Sequence, residues 1–437
     1  MLTMTAMLLL AGAGLATTPP WLPQTKRFAD VPQAGAKFGQ SVAIDGDWLA
    51  VGAPHEAAPL PALAQGNSPD AVLIALDVGK VYLYHREPSG WQLHTTLTGN
   101  QAGAEFGYAV ALRGDDLFAG VPFYDFGVDD DTGLVRNYQL QGGVWQSLGG
   151  VTCCSPGAHF GTAVAMFGDS QDSFAVVSAP DADEGFVGVL HKDSQGVWHF
   201  ETLTNPAGLV TGDSFGNAVA GDGKELIAGA SFKTVGGQAS AGTAYVFFRT
   251  PLGDWQVSGQ LTYPNPVTND RSGYSVAISG EWAAIGAIGR TVPNAAQDTG
   301  AVQTFVYFGG SGWIPYQELT GVSADTNDAF GNSVALQGTH LLVGALDDDS
   351  HGGTPDIGSA YFFLRTDGFP VPLWNETEKF MNASPQELDL FGYGVALSGD
   401  AAAVGAPLDD TDGGISAANA GSITLFKYDQ IFADGYD

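Results

Sequence analysis

Acidic side chains are the chemistry this chain offers in quantity: 47 Asp and Glu stand against 16 Lys and Arg, a formal net charge of −31. They collect in runs, Asp129-Asp130-Asp131, Asp181 with Asp183-Glu184, Asp347-Asp348-Asp349, and Asp409-Asp410 with Asp412. Carboxylates on a loop are hard oxygen ligands, so these runs point to Ca²⁺, most of all the stretch LDDTDGG from Leu408. The competing use of such a run is a solvated acidic loop that keeps strand edges from pairing. His351 stands beside Asp347–Asp349, but no second imidazole follows at the spacing a transition metal needs. Near the first run lie Phe123, Tyr124 and Phe126, aromatic area for stacking on a sugar or anchoring a protein. Their competing use is to pack that loop onto its neighbour.

Other chemistry is missing from the pattern. No GxSxG elbow, HExxH or phosphate-binding glycine loop occurs. The eight histidines, among them His55, His85, His94 and His159, share no repeat position and read as no catalytic pattern. Arg113-Gly114-Asp115 spells an adhesive tripeptide, yet Gly and Asp there are what a tight turn asks for. Asn375-Glu376-Thr377 and Asn382-Ala383-Ser384 fit the glycosylation sequon, which matters only in a eukaryotic secretory route. The two cysteines, Cys153 and Cys154, are adjacent, closer than ordinary disulfide geometry allows, and are not expected to staple the scaffold. The acidic balance excludes nucleic acid, which demands a basic footprint, and disfavours anionic lipid. It fits solubility by self-repulsion or a cationic partner.

Seven copies of one unit position these residues. The unit is clearest at Phe38–Pro54, FGQSVAIDGDWLAVGAP, two short strands around a turn at Asp45-Gly46-Asp47. It restarts at Phe106, Phe160, Phe215, Ser272, Phe330 and Phe391, in steps of 68, 54, 55, 57, 58 and 61 residues. A glycine (Gly79, Gly133, Gly185, Gly242, Gly300, Gly358, Gly421) opens a third alternating strand. A tryptophan 15 or 17 residues before the next FG marks a fourth. Period-two alternation without helical periodicity predicts an all-β chain: a seven-bladed β-propeller with four antiparallel strands per blade. The 61 glycines suit the many tight turns.

The tryptophans also predict how the ring closes. Trp21 precedes the first FG, whereas the last repeat has no fourth strand after Gly421. The segment Trp21–Thr25 should complete the last blade, and proline is tolerable there on an outer edge. The repeats resemble the FG-GAP repeats of the integrin α-subunit N-terminal propeller and its bacterial secreted relatives. The GAP landmarks are Gly52-Ala53-Pro54, Gly120-Val121-Pro122, Ser178-Ala179-Pro180, Gly229-Ala230-Ser231, Gly286-Ala287-Ile288, Gly344-Ala345-Leu346 and Gly405-Ala406-Pro407. In that family, calcium-binding copies carry an Asp-x-Asp-x-Asp-Gly loop between FG and GAP. Here only short turns stand in that place, such as Gly168-Asp169 and Gly399-Asp400, with too few ligands for a cation that takes about six to eight. That calcium site is not carried over.

The expected layout is a signal peptide over 1–16, the propeller over 17–430 and a short tail over 431–437. Met1–Ala16 has the apolar core and small-residue end of a secretory signal without its basic start. The tail resembles one found on some secreted Gram-negative proteins. No second apolar run follows, so a soluble, monomeric, secreted, periplasmic or cell-surface product is expected. FG-to-GAP turns are short and share one face. The longer connections Pro54–Val78, Pro122–Thr132 and Leu346–Ile357 share the other, where binding usually resides and where the integrin resemblance also puts the ligand. The reading is a non-catalytic adhesion-type protein engaging an extracellular protein or glycan. The alternatives are a polysaccharide hydrolase or lyase and a structural envelope component.

Overall fold

The computed structural model describes residues 21–59, 75–127, 130–169, 172–292, 298–323, 326–349, 356–366, 371–410 and 417–428. The proposed signal segment and tail lie outside these residues. Seven four-stranded antiparallel sheets form the blades. Blade one runs Ser41–Asp45, Trp48–Ala53, Lys80–Glu87 and Gly90–Thr98 in spatial order, and blades two to six repeat that meander. A small hairpin, Ala57–Pro59 with Ala75–Asp77, rises from the first long connection. A single 3₁₀ turn at Gly309–Ser311 is the only helical element among the described residues.

Sequence explains the order of strands from axis to rim. Second strands such as Asp116–Val121, Trp282–Ala287 and Ala401–Ala406 are buried on both faces, because blades pack against each side. Small residues (AAAVGA, WAAIGA) let the sheets approach there. Fourth strands are outer edges and largely face solvent, as in Val144–Val151, where Trp145 alone is buried.

The FG and GAP signatures are two halves of one contact. A Cβ on Gly52 would collide with the carbonyl oxygen of Gly107 in the next blade. The same holds for Gly120 against Gly161, Gly229 against Gly273, Gly286 against Gly331, Gly344 against Gly392 and Gly405 against Gly39. Blades therefore meet backbone to backbone at the GAP glycine of one and the FG glycine of the next. Blade three is the exception. Ser178 stands in the GAP position and its Cβ already approaches Gly216. The buried FG phenylalanines seat this joint, with Phe38, Phe106, Phe160, Phe215, Phe330 and Phe391 all fully buried.

The ring closes as the tryptophans predict. Trp21–Arg27 pairs antiparallel with Ser422–Tyr428, Trp21 opposite Tyr428, and supplies the outer strand of blade seven. The register shifts between Pro23 and Thr25, where a bulge accommodates the missing donor. Trp21 is fully buried against Phe362, Phe380 and Tyr428, so the closing strand packs on blade six as well as pairing in blade seven. Inner strands touch their neighbours all round the axis, including Ser41–Asp45 against Val395–Ser398. They leave an axial channel with a chamber of about 270 Å³ at the turn end and about 250 Å³ at the loop end.

Candidate functional site

Two positions in every repeat build the inner rim of the loop face: the residue before FG and the residue after the GAP triplet. The residue before FG holds positive φ in all seven blades, from 53° to 60°, although none is glycine. That conformation is sparsely populated for residues with a Cβ, and the ring imposes it seven times. The rim residues before FG are Lys37, Glu105, His159, Ser214, Arg271, Ala329 and Leu390. Those after GAP are His55, Phe123, Asp181, Phe232, Gly289, Asp347 and Leu408.

In blades one to three these side chains join in one arc. Lys37 Nζ donates to His55 Nε2 at 3.1 Å, which leaves the imidazole proton on Nδ1, 3.2 Å from Asp77 Oδ2. His55 Nε2 also lies 3.6 Å from Glu105 Oε1. His159 Nδ1 sits 2.6 Å from Asp181 Oδ2, and its ring packs on Phe123 with centroids 4.8 Å apart. Burial raises the Glu105 carboxyl, while the nearby His55, Lys37 and His159 pull it down. Two imidazoles oriented by carboxylates thus flank a half-buried glutamate. This arrangement can hydrogen-bond a polar ligand or move a proton.

Blades four to seven bury more charge inside the blade than blade one, which buries Glu56 2.7 Å from Lys80. Two residues before FG they carry the buried acids Asp213, Asp270, Asp328 and Asp389, where blades one to three have Ala36, Ala104 and Ala158. Two residues after GAP stand Lys233, Arg290, Asp348 and Asp409. Lys233 pairs with Asp213 at 3.0 Å, and Arg290 pairs with Asp270 and Glu318 at 2.9 Å each. In blades six and seven the cation comes from the fourth strand: Lys379 to Asp348 and Lys26 to Asp409, both at 2.8 Å. Lys26 and Lys379 hold equivalent register, opposite Thr424 and Tyr361, three residues past the third-strand glycine. The cation changes position from blade to blade, yet each buried group of acids keeps one.

These pairs locate the residues that sequence singled out. Asp348 and Asp409 are buried and face lysines; Asp409 also accepts from Ser422 and Asn382, and Asp348 from Tyr361. Asp347 is half-buried on the rim, and burial with the charge of Asp356 pushes its carboxyl up to about 6. Asp349 is exposed, and Asp410 accepts from the Asn419 amide at 2.7 Å. Asp130 accepts from the Phe126 amide, and Asp131 passes a backbone carbonyl to His159. Asp129 and Asp412 lie outside the described residues. Among the described residues, no three His, Cys, Asp or Glu side chains are grouped to hold a metal ion.

The aromatic run is less open than its sequence implies. Phe123 and Tyr124 are half-buried, Phe123 on the rim and Tyr124 against the blade-two core, while Phe126 is 56% exposed and edge-on to Tyr124. Arg113 lies at the opposite, turn face, where Gly114 N donates to Asp45 of blade one. Cys153 and Cys154 are joined to each other and close no loop, so the bond does not staple the scaffold. Sequence reading missed His55 and His159 because they occupy different repeat positions. Listing the residues before FG beside those after GAP would have brought both onto one ring.

The architecture is that of a seven-bladed β-propeller with glycine-to-glycine blade joints and a chemically uneven loop-face rim. The FG-GAP repeat model matches residues 21–71, 203–247, 255–305, 313–363 and 374–426, and the chain belongs to that family. The stretch between 71 and 203 supplies the third and fourth strands of blade one and all four strands of blades two and three. No curated protein matches the sequence. Among solved structures the chain is similar to the periplasmic gluconolactonase of Pseudomonas aeruginosa, with a TM-score of 0.46, 13% identity, 80% of this chain and 87% of that chain covered. A likeness of that degree carries no argument about activity. Among the described residues, no helix is long and apolar enough to cross a membrane.

Proposed function

We propose that this propeller is an extracellular or envelope binding protein that engages a protein or glycan through the loop-face rim of blades one to three. The observation that carries this reading is the uneven rim. On a scaffold that repeats seven times, Lys37, His55, Glu105, Phe123, His159 and Asp181 concentrate interacting groups in one arc. Packing and folding require no such concentration, since the other four blades hold the same backbone with Ser214, Arg271, Ala329 and Leu390, of which Arg271 alone is charged. A rigid rim also loses little freedom when a ligand arrives.

A second reading has its own support. His55 and His159 each direct Nδ1 at a carboxylate, the arrangement that prepares an imidazole for proton transfer. A hydrolase or lyase acting on extracellular polysaccharide would use it. One experiment separates the two: capture on a glycan array and on cell surfaces by the mature chain, with product analysis on every glycan retained. Saturable capture without products supports binding, and turnover lost in His159→Gln supports the enzyme. Failure to capture any glycan or protein contradicts both.

A further inference from the structure

We propose that the loop-face mouth of the axial channel seats one neutral hexopyranose ring at the end of a glycan chain. This deepens the loop-face reading above and depends on it. The mouth is a chamber of about 250 Å³ bounded by the first strands of the seven blades. That is below the roughly 300–1,000 Å³ of sites for drug-sized ligands, room for one sugar ring rather than two.

Its lining has two layers. The floor is seven valines at one repeat position: Val42, Val110, Val164, Val219, Val276, Val334 and Val395. Above it stands the position two residues past the FG start, which carries Tyr108 and Tyr274 on the chamber wall in blades two and five and Tyr393 beside the lining in blade seven. The intervals are three, two and two blades, the most even spread that three positions can take on a ring of seven.

Most other polar groups of the mouth already bond within the protein, the greater part of them across a blade joint. Ser41 Oγ donates to Gly107 O at 2.8 Å and Ser275 Oγ to Gly331 O at 2.6 Å. Asn217 Nδ2 reaches Gly273 O and Tyr274 O, and Asn332 Nδ2 reaches Gly392 O and Tyr393 O. Thr162 Oγ1 donates to His159 O. Tyr108 and Tyr274 line the chamber, and the three phenols have no hydrogen-bond partner among the described residues. They act on one another: after burial, the chief influences raising Tyr393 are Tyr108 and Tyr274.

This lining selects its ligand. Among the described residues no charged side chain lines the chamber, so an ion entering it would lose water without gaining a counter-charge from its wall. A hexopyranose presents hydroxyls at its edge, which phenols can both donate to and accept from, and C–H faces that fit a valine floor. Strands wall the mouth on all sides, so a chain enters end-on and its remaining sugars pass over the charged rim of Lys37, Glu105 and His159.

The test uses the full mature chain with methyl glycosides of D-glucose, D-galactose, D-mannose and N-acetyl-D-glucosamine, read by ligand-observed NMR and calorimetry. At least one should bind, and the triple variant Tyr108→Phe, Tyr274→Phe, Tyr393→Phe should weaken it about tenfold or more at unchanged Tm. Tyr274→Phe alone covers the case in which the triple variant folds poorly, with a smaller loss expected. The proposal is overturned if no methyl glycoside binds, if the Phe variants bind equally, or if methyl glucuronide or glucosamine binds better than every neutral probe. Glycan capture that falls in His159→Gln but not in the Phe variants would leave the rim reading standing and remove the axial seat. Absence of all capture by the wild type would remove both.

Discussion

Blades one to three and blades four to seven share a backbone and differ in how much charge they bury, the first group keeping the Glu56–Lys80 pair of blade one inside. Two residues before FG, the first group has Ala36, Ala104 and Ala158 and the second Asp213, Asp270, Asp328 and Asp389. One residue later the contrast reverses: Lys37, Glu105 and His159 face the rim in the first group, while the second offers Ser214, Arg271, Ala329 and Leu390. Charges inside a blade cost desolvation and need a partner, so they tie the fold together locally. Charges on the rim remain available to a ligand. The same repeat has been turned to stability in one arc and, in our reading, to recognition in the other.

The largest effect that sharpens this contrast should come from removing a buried cation. Arg290→Met leaves Asp270, 1% exposed, without its guanidinium, and should cost about 3 kcal/mol or more in stability. Lys37→Met removes the same charge from the rim and should stay within about 0.5 kcal/mol. Chemical denaturation of the two variants compares them directly. Equal losses would break the distinction.

Next in size is ligand capture. His55→Gln with His159→Gln should reduce it about tenfold or more while Tm holds, as loss of a few polar contacts would. A fallen Tm with retained capture would return both histidines to the structural class.

A smaller effect concerns pH. Burial, and then the charge of Asp409, push the Asp389 carboxyl up to about 7, well above its ordinary value near 4. The folded chain therefore holds that proton where the unfolded chain has released it. Its contribution is fully present below about pH 4 and lost as pH rises through about 7. Asp389→Asn should flatten the decline of Tm between pH 5 and pH 8; an unchanged slope would say that Asp389 does not titrate in that window.

The smallest effect concerns calcium. With Asp409 paired to Lys26, we propose that any calcium held by the blade-seven loop depends on Asp410 and Asp412. A rise in Tm of a few degrees with calcium should disappear in Asp410→Asn with Asp412→Asn. Calorimetry showing no binding to the wild type would end that proposal.

The repeat made the architecture legible from sequence, since Phe, Gly and Trp recur where blades meet and where the outer strand begins. Trp21 placed the ring closure for the same reason: it belongs to a set of seven and lies out of order. The site was less legible. Runs such as Asp347–Asp349 draw attention by adjacency, yet neighbouring residues there point to different places, Asp348 to Lys379 inside the blade and Asp347 to the rim. Conversely, His55 and Glu105 stand 50 residues apart in the chain and 3.6 Å apart in space. Only the ring geometry makes the residue after one GAP the neighbour of the residue before the next FG.

The central claim is tested most directly by capturing glycans and cell-surface proteins with three folded forms in parallel. These are the wild type, a first-arc variant (Lys37→Met, Glu105→Gln, His159→Gln) and a second-arc variant (Arg271→Gln, Asp347→Asn). The account predicts that the first-arc variant loses capture while the second-arc variant matches the wild type, all three melting alike. Capture lost in the second arc and kept in the first would contradict it.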